Sequence, residues 1–228
     1  MKFRPGKKRY NDYPTFFKTL FEERVQKLSI DGGFTCPNRD GSKGVGGCSF
    51  CNNESFNPDY CRAVRGITEQ IDEGIRFFAR KYKAQRYLAY FQAYSNTYAP
   101  LDVLKLRYEE ALAHPMISGL VVGTRPDVVS KEILDYLEEL AQRYYVCVEY
   151  GVESVNDTVL RQVNRGHDFA VAEQAIRATA GRGITIGAHL IFGLPGESRE
   201  SMLEGAIRLC ELPIQVLKLH QLQIVKGT

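Results

Sequence analysis

Apolar runs and helix-patterned stretches alternate along this 228-residue chain, and that rhythm restricts its fold more than any other feature. The apolar runs span 24–31, 86–94, 118–124, 144–154, 184–193 and 214–224. They are apolar at nearly every position, as strands covered on both faces are. Helical spacing follows each run but the last, over 67–82, 101–114, 130–143, 156–163 with 169–182, and 198–212. Ser130 fits an N-cap, Thr68 the start of a helix, and Pro115 and Gly183 helix stops. Strand–helix–strand units cross over with a right hand and build a parallel sheet. The rhythm alone leaves open a doubly wound sheet or a barrel. In both, ligands bind beyond the C-terminal ends of the strands.

The chemically distinctive residues collect at that end. "FQAYSNTY" closes the second run, "GTRPD" the third, "EYGVES" the fourth and "HLIFGLPGES" the fifth. After the first run comes a Gly-, Asn- and Pro-rich loop of about thirty residues, a length that points to function or to something bound. It contains "CPNRDGSKGVGGCSFC", with three of the six cysteines: Cys36, Cys48 and Cys51. Three thiolates can hold three irons of a 4Fe–4S cluster and leave the fourth iron open, unlike the four-cysteine electron-transfer pattern. The glycines between Cys36 and Cys48 let the backbone wrap closely and donate N–H groups to sulfur. A zinc site would need a distant fourth ligand, from His167, His189 or Cys61. A redox pair of Cys48 and Cys51 would leave Cys36 idle. Cys147, in a strand, and Cys210, in a helix, read as small hydrophobes. Cys61 lies in the cysteine loop and stays a candidate.

Together these motifs resemble the radical S-adenosylmethionine (SAM) superfamily. The wide spacing after Cys36 and the string "CPNRDG" resemble its YhcC-like subgroup, related to the Elongator catalytic subunit and to anaerobic coproporphyrinogen oxidase. "VEYGVES", "VNRGH" and "GTRPD" carry the same resemblance, which runs from about Arg9 to Thr228. It implies an α/β fold, a partial (β/α)6 TIM-type barrel with parallel strands. It also implies a 4Fe–4S cluster on Cys36, Cys48 and Cys51, with SAM on the open iron. Phe50 matches the position against the adenine, Arg165 the contact to the SAM carboxylate, and Glu153 and Ser154 the ribose motif. The second strand end departs from the family's Gly-Gly-Glu. Its candidates for the SAM amino group are the carbonyls of Ala93 and Tyr94 and the side chains of Ser95 and Asn96. Ile191, Phe192 and Gly193 are expected along the adenine edge. His189 is expected at ribose, at substrate, or as a satisfied inner-barrel histidine. Glu149 needs a partner if it points inward. Arg125 is the expected one, and Arg125, Asp127 and Glu149 are candidate substrate contacts.

The chemistry this resemblance implies is reductive cleavage of SAM to a 5'-deoxyadenosyl radical, with an external donor of flavodoxin or ferredoxin type. The Elongator kinship implies tRNA as partner and the carbon-5 substituent of wobble uridine as target. A small metabolite or porphyrin-like substrate is the alternative. A non-catalytic, metal-bearing nucleic-acid module is a third reading. Net charge is only +3. Basic residues nevertheless gather at Lys2, Arg4, Lys7, Lys8 and Arg9, and again at Arg76, Arg80, Lys81, Lys83 and Arg86. Such sets suit phosphates, and equally a solvated face. Tyr10, Tyr13, Phe16 and Phe17 could stack on bases or serve as core, and "YPTFFKTLF" reads as an amphipathic helix. No apolar run reaches eighteen residues and the N-terminus lacks an apolar leader, so a reducing cytoplasm and no membrane contact are expected. The expected division is a basic extension over 1–23 and the radical SAM core over 24–228, with the C-terminal extension of relatives absent.

Overall fold

Six strands form and pair in sequence order, all parallel. They are β1 (Val25–Ile30), β2 (Arg86–Phe91), β3 (Ile117–Thr124), β4 (Tyr145–Glu153), β5 (Thr185–Phe192) and β6 (Val216–Gln221). The computed structural model describes residues 10–55, 57–80 and 86–226. Lys2, Arg4, Lys7, Lys8, Arg9, Lys81 and Lys83 lie outside the described residues. A doubly wound sheet reverses its strand order at the middle. Here the order never reverses, so right-handed crossovers put all the connecting helices on one face. The sheet curls away from them into a partial (β/α)6 barrel. Among the described residues β1 and β6 do not pair, so the barrel is open at that seam.

The helices are α1 (Tyr13–Phe21), α2 (Ile67–Ala79), α3 (Leu101–Ala113), α4 (Lys131–Ala141), α5 (Asp157–Gln162), α6 (Phe169–Thr179) and α7 (Arg199–Cys210). Ser130 caps α4 as expected, its Oγ accepting from the Ile133 amide at 3.3 Å. Thr68 does not cap α2. Gly66 holds that place, and the amide and hydroxyl of Thr68 go to Glu110 instead. Helix α6 ends at Thr179, ahead of Gly183, in a turn where both Gly181 and Gly183 take positive φ.

Strand alternation sorts the side chains into two layers. Tyr87, Ala89 and Phe91 of β2 face the helices and join the main core, with Leu120, Val122, Val148 and Tyr150. Leu88, Tyr90, Val121 and Cys147 face inward. Helix α1 packs against this inner layer. Asp12 caps it through the Thr15 amide at 2.9 Å, and Phe17 meets Tyr145 edge-on with ring centroids 5.4 Å apart. Tyr13 and Phe16 belong to the same cluster, so these aromatics are core and not a surface for stacking bases. Tyr10 is exposed. Burying a phenylalanine this fully contributes about 2–3 kcal/mol. No helix among the described residues is long and apolar enough to cross a membrane.

Candidate active site

A cavity of about 600 Å³ opens between the C-terminal strand ends and the cysteine loop. Cys36, Cys48 and Cys51 all line it, on the turns between β1 and α2. The loop is a folded unit. The amides of Arg39 and Asp40 donate to the Cys36 carbonyl, those of Lys43 and Gly44 to Pro37, and that of Cys51 to Cys48. Asp40 and Val45 form an antiparallel bridge, so the long insert is a small hairpin. Gly46 and Gly47 take φ of 84° and 82° on its return. A side chain at Gly47 would meet the Arg39 guanidinium at 2.8 Å. That guanidinium reaches the Cys51 carbonyl at 2.6 Å.

The cysteines suit a cluster. Among the described residues no three His, Cys, Asp or Glu side chains converge on a single metal ion. A four-iron cluster takes each thiolate on a separate iron, so three thiolates need not converge on one point to hold it. Cys48 Sγ has Arg165 Nη1 at 3.5 Å and Asn38 Nδ2 at 3.7 Å, and Cys51 Sγ has Asn53 Nδ2 at 3.8 Å. Burial pushes the Cys51 thiol up, against the opposing pull of Arg39. The other cysteines are elsewhere or inert: Cys61 and Cys147 are buried, with burial pushing both thiols up to about 12. Cys210 is exposed at the end of α7, not buried in a helix face.

Polar atoms without protein partners converge on the same cavity. Ser95 Oγ, Arg125 Nη1 and Arg165 Nε are buried with no hydrogen bond, and all three residues line the wall. Such groups are costly unless something satisfies them. A ligand with carboxylate, amino and hydroxyl groups, as SAM has, fits that set.

Phe50, Tyr94, Glu153, His189 and Ile191 also line the cavity. Arg165 is buried; its Nη2 donates to the Gly151 carbonyl and lies 4.0 Å from Glu153 Oε1. Burial disfavours its charge, but Cys48 and Glu153 hold it protonated. The remaining candidates stand back from the cavity wall. Ala93 is buried at the end of β2. Asn96 is fully buried and ties that end to β3, donating to the Gly123 carbonyl at 2.7 Å. Ser154 donates to Glu197 and accepts from the Asn156 amide at 3.1 Å. Phe192 packs with the outer core. Gly193 (φ 92°) donates its amide to Met202 Sδ.

The expected Glu149–Arg125 pair does not form. Glu149 points inward and gives one oxygen to Lys27 and the other to His189 Nε2 at 3.0 Å. Burial pushes its carboxyl up, but His189 and Lys27 outweigh this and hold it well below the usual carboxylate range. Arg125 instead forks onto Asp127, Nε and Nη2 at 2.8 and 2.9 Å, and Lys43 reaches the same carboxylate at 2.9 Å. Burial works against the Asp127 charge, yet these two cations hold its carboxyl low.

The sequence reading missed the rest of the lumen. Tyr90, Lys218 and His220 line it near Glu149. Lys218 Nζ touches the Tyr90 hydroxyl at 3.4 Å, and the His189 and His220 rings lie 5.3 Å apart. Burial lowers both Lys218 and His220, the latter to about 4 with help from Lys218. Strand alternation could have flagged Lys218 and His220 in "VLKLHQ"; only the register shows that they face Glu149.

The model of the Radical SAM superfamily matches residues 36–207. Over 209 residues the chain is 44% identical to protein YhcC of Escherichia coli K12, covering 91% of this chain and 66% of that protein. Over 221 residues it is 36% identical to YtqA of Bacillus subtilis, covering 97% of this chain and 69% of that one. The chain thus spans about two thirds of the length of these relatives. Among solved structures, the archaeal Methanocaldococcus infernus Elp3 superposes with a TM-score of 0.64 at 16% identity, over 90% of this chain and 47% of that one. That likeness speaks for the fold. The chain belongs to the radical SAM superfamily, whose enzymes work with a 4Fe–4S cluster and SAM, and within it to the YhcC-like group.

Proposed function

We propose that this protein reductively cleaves SAM and uses the resulting radical to remodel the carbon-5 substituent of wobble uridine in tRNA. One observation carries the first half: three thiols, a buried charged arginine and three unsatisfied polar atoms share one cavity at the strand ends. Cys36, Cys48 and Cys51 would hold the 4Fe–4S cluster. Cluster and SAM, when bound, would supply one-electron cleavage of the sulfonium, with the electron from an external donor of flavodoxin or ferredoxin type.

The chain's own part is orientation and exclusion of water. Arg165 offers its guanidinium to a carboxylate beside Cys48. Glu153 presents an acceptor for a ribose diol, and Phe50 and Ile191 give apolar contact for a base. Neither Glu149 nor Asp127 is an available proton acceptor, because each is saturated by two cationic or hydrogen-bonding partners. They shape the lumen, and Tyr90, Lys218 and His220 face a substrate there.

The tRNA part rests on the resemblance of "VEYGVES", "VNRGH" and "GTRPD" to the Elongator catalytic subunit. Anaerobic reconstitution tests the first half: a 4Fe–4S spectrum and 5'-deoxyadenosine from SAM and dithionite are expected, and absence of either would sink it. Mass spectrometry of tRNA nucleosides from a deletion strain tests the second. A changed wobble-uridine profile is expected, and an unchanged one removes tRNA as the substrate.

A further inference from the structure

Among the three cluster thiols Cys48 is singled out by its neighbours. Asn38 Nδ2 and Arg165 Nη1 both aim at its sulfur, at 3.7 and 3.5 Å. Asn38 is fully buried. Its side-chain amide also donates to the Asn164 carbonyl, its backbone carbonyl accepts from the Gly47 amide at 2.8 Å, and its Oδ1 is buried without a hydrogen-bond partner. The fit around it is tight: a Cβ on Gly44 would lie 2.2 Å from Asn38 Oδ1, and one on Gly166 3.1 Å. From the other side Asn164 Nδ2 donates to the Gly47 carbonyl at 2.8 Å, and the Ser49 amide to the Val163 carbonyl at 3.0 Å. The cysteine hairpin and the turn after α5 are therefore one hydrogen-bonded unit, with Asn38 at its centre.

A neutral thiol is a weak acceptor, a poor reason to bury an amide fully. A sulfur bonded to iron carries more negative charge and accepts more strongly, and it gains further charge when the cluster is reduced. We propose that Asn38 is a positioning residue for the cluster, fixing Cys48 through the turn after α5 and favouring the reduced state through an N–H···S hydrogen bond. The proposal rests on the cluster reading above.

The test uses the full chain reconstituted anaerobically, with Asn38→Asp and Asn38→Leu beside the wild type. The readouts are iron and sulfide per chain and an electron-paramagnetic-resonance-monitored redox titration. Asn38→Asp keeps shape and volume but replaces the donor with an acceptor. Both variants are expected to disfavour reduction at least tenfold, about 59 mV for a one-electron couple. Pulsed resonance on wild-type protein carrying 15N-asparagine supplies a readout needing no substitution: an amide nitrogen coupled to the reduced cluster is expected. Variants that bind the cluster at the wild-type potential, or a labelled wild type with no such coupling, reduce Asn38 to a loop clamp and overturn the proposal. A wild type that assembles no 4Fe–4S cluster overturns the cluster reading, and this inference with it.

Discussion

Cys36, Cys48 and Cys51 differ from the other three cysteines in what surrounds them: all three line the cavity, and Cys48 and Cys51 have N–H donors beside their sulfurs, whereas the others lie in core or solvent. Replacing any one of the three with Ala should leave the reconstituted chain with little iron and no cluster absorbance, whereas Cys210→Ser, far out on α7, should assemble normally. Iron and sulfide analysis distinguishes the two outcomes, and cluster retention in a Cys36, Cys48 or Cys51 variant would refute the ligand assignment. Arg165 invites a finer substitution. Lysine keeps the charge but loses the planar fork, which here spans Cys48 and the Gly151 carbonyl. Arg165→Lys should weaken SAM binding roughly tenfold or more, about 1.4 kcal/mol, with cluster content unchanged. Calorimetric titration of SAM into the reconstituted protein measures it, and an unchanged Kd would remove Arg165 from the SAM site. That the three thiols share one cavity could be read from their spacing because they sit on one continuous loop. The Lys27–Glu149–His189 group could not, since its members come from β1, β4 and β5 and meet only across the curled sheet. The Glu149–Arg125 expectation failed for a local reason: Asp127, two residues on, already holds Arg125 in a fork.

The strand ends carry their own signature. Among the described residues four non-glycine positions take positive φ; two of them, Tyr94 and Glu153, line the cavity, and a third, Asn164, directly precedes Arg165. Holding a bulky residue there costs on the order of 1–3 kcal/mol and persists only where the surroundings over-determine it. At Glu153 the pairing of β4 with β5 slips by a residue, which turns the carboxylate toward Arg165. Gly151, just before the slip, leaves the room: a Cβ there would lie 2.4 Å from Glu153 Oε1 and 3.0 Å from Arg165 Nη2. Gly151→Ala should fold with nearly wild-type thermal stability and bind SAM at least tenfold more weakly; tight SAM binding would show that this pair does not shape the site. At the opposite end of the sheet α1 is a packing element. Phe17→Ala should cost about 3–5 kcal/mol, as large-to-small core changes do, seen as a lower urea midpoint. A loss under 1 kcal/mol would mean α1 is only loosely docked. The elements themselves were legible because strand and helix periods differ and each is short. Thr68 misled because a hydroxyl near a helix start does not reveal that Gly66 already occupies the cap.

At the scale of the whole molecule, a curled sheet with helices on one side makes an interior that must be filled with something, and this chain fills much of it with titratable groups. Which substrate enters was not legible, because lumen residues are scattered one or two per strand and carry no contiguous motif. The joint effect of the buried titratable groups is nevertheless testable through acid stability. His167 is held at about 4, first by burial and then by Arg165; His220 likewise, by burial and then Lys218. Unfolded, both would take a proton near 6.5. Between pH 6.5 and 4 the unfolded chain therefore binds more protons than the folded one, and stability must fall as pH falls through that window. Glu149 and Asp127 extend the loss. Their folded carboxyls lie below the unfolded values, so their stabilisation is complete above the ordinary carboxylate range and is lost progressively as pH falls from that range toward the depressed folded values. Urea unfolding of the iron-free chain should show a plateau above pH 6.5 and then a continuous decline. Each histidine should account for about 1–3 kcal/mol of that decline by pH 4. His167→Gln should flatten the upper part of the curve and leave the carboxylate part in place. A wild-type profile that is level from pH 6.5 to 4.5 would mean that these imidazoles are solvated and not held neutral by burial.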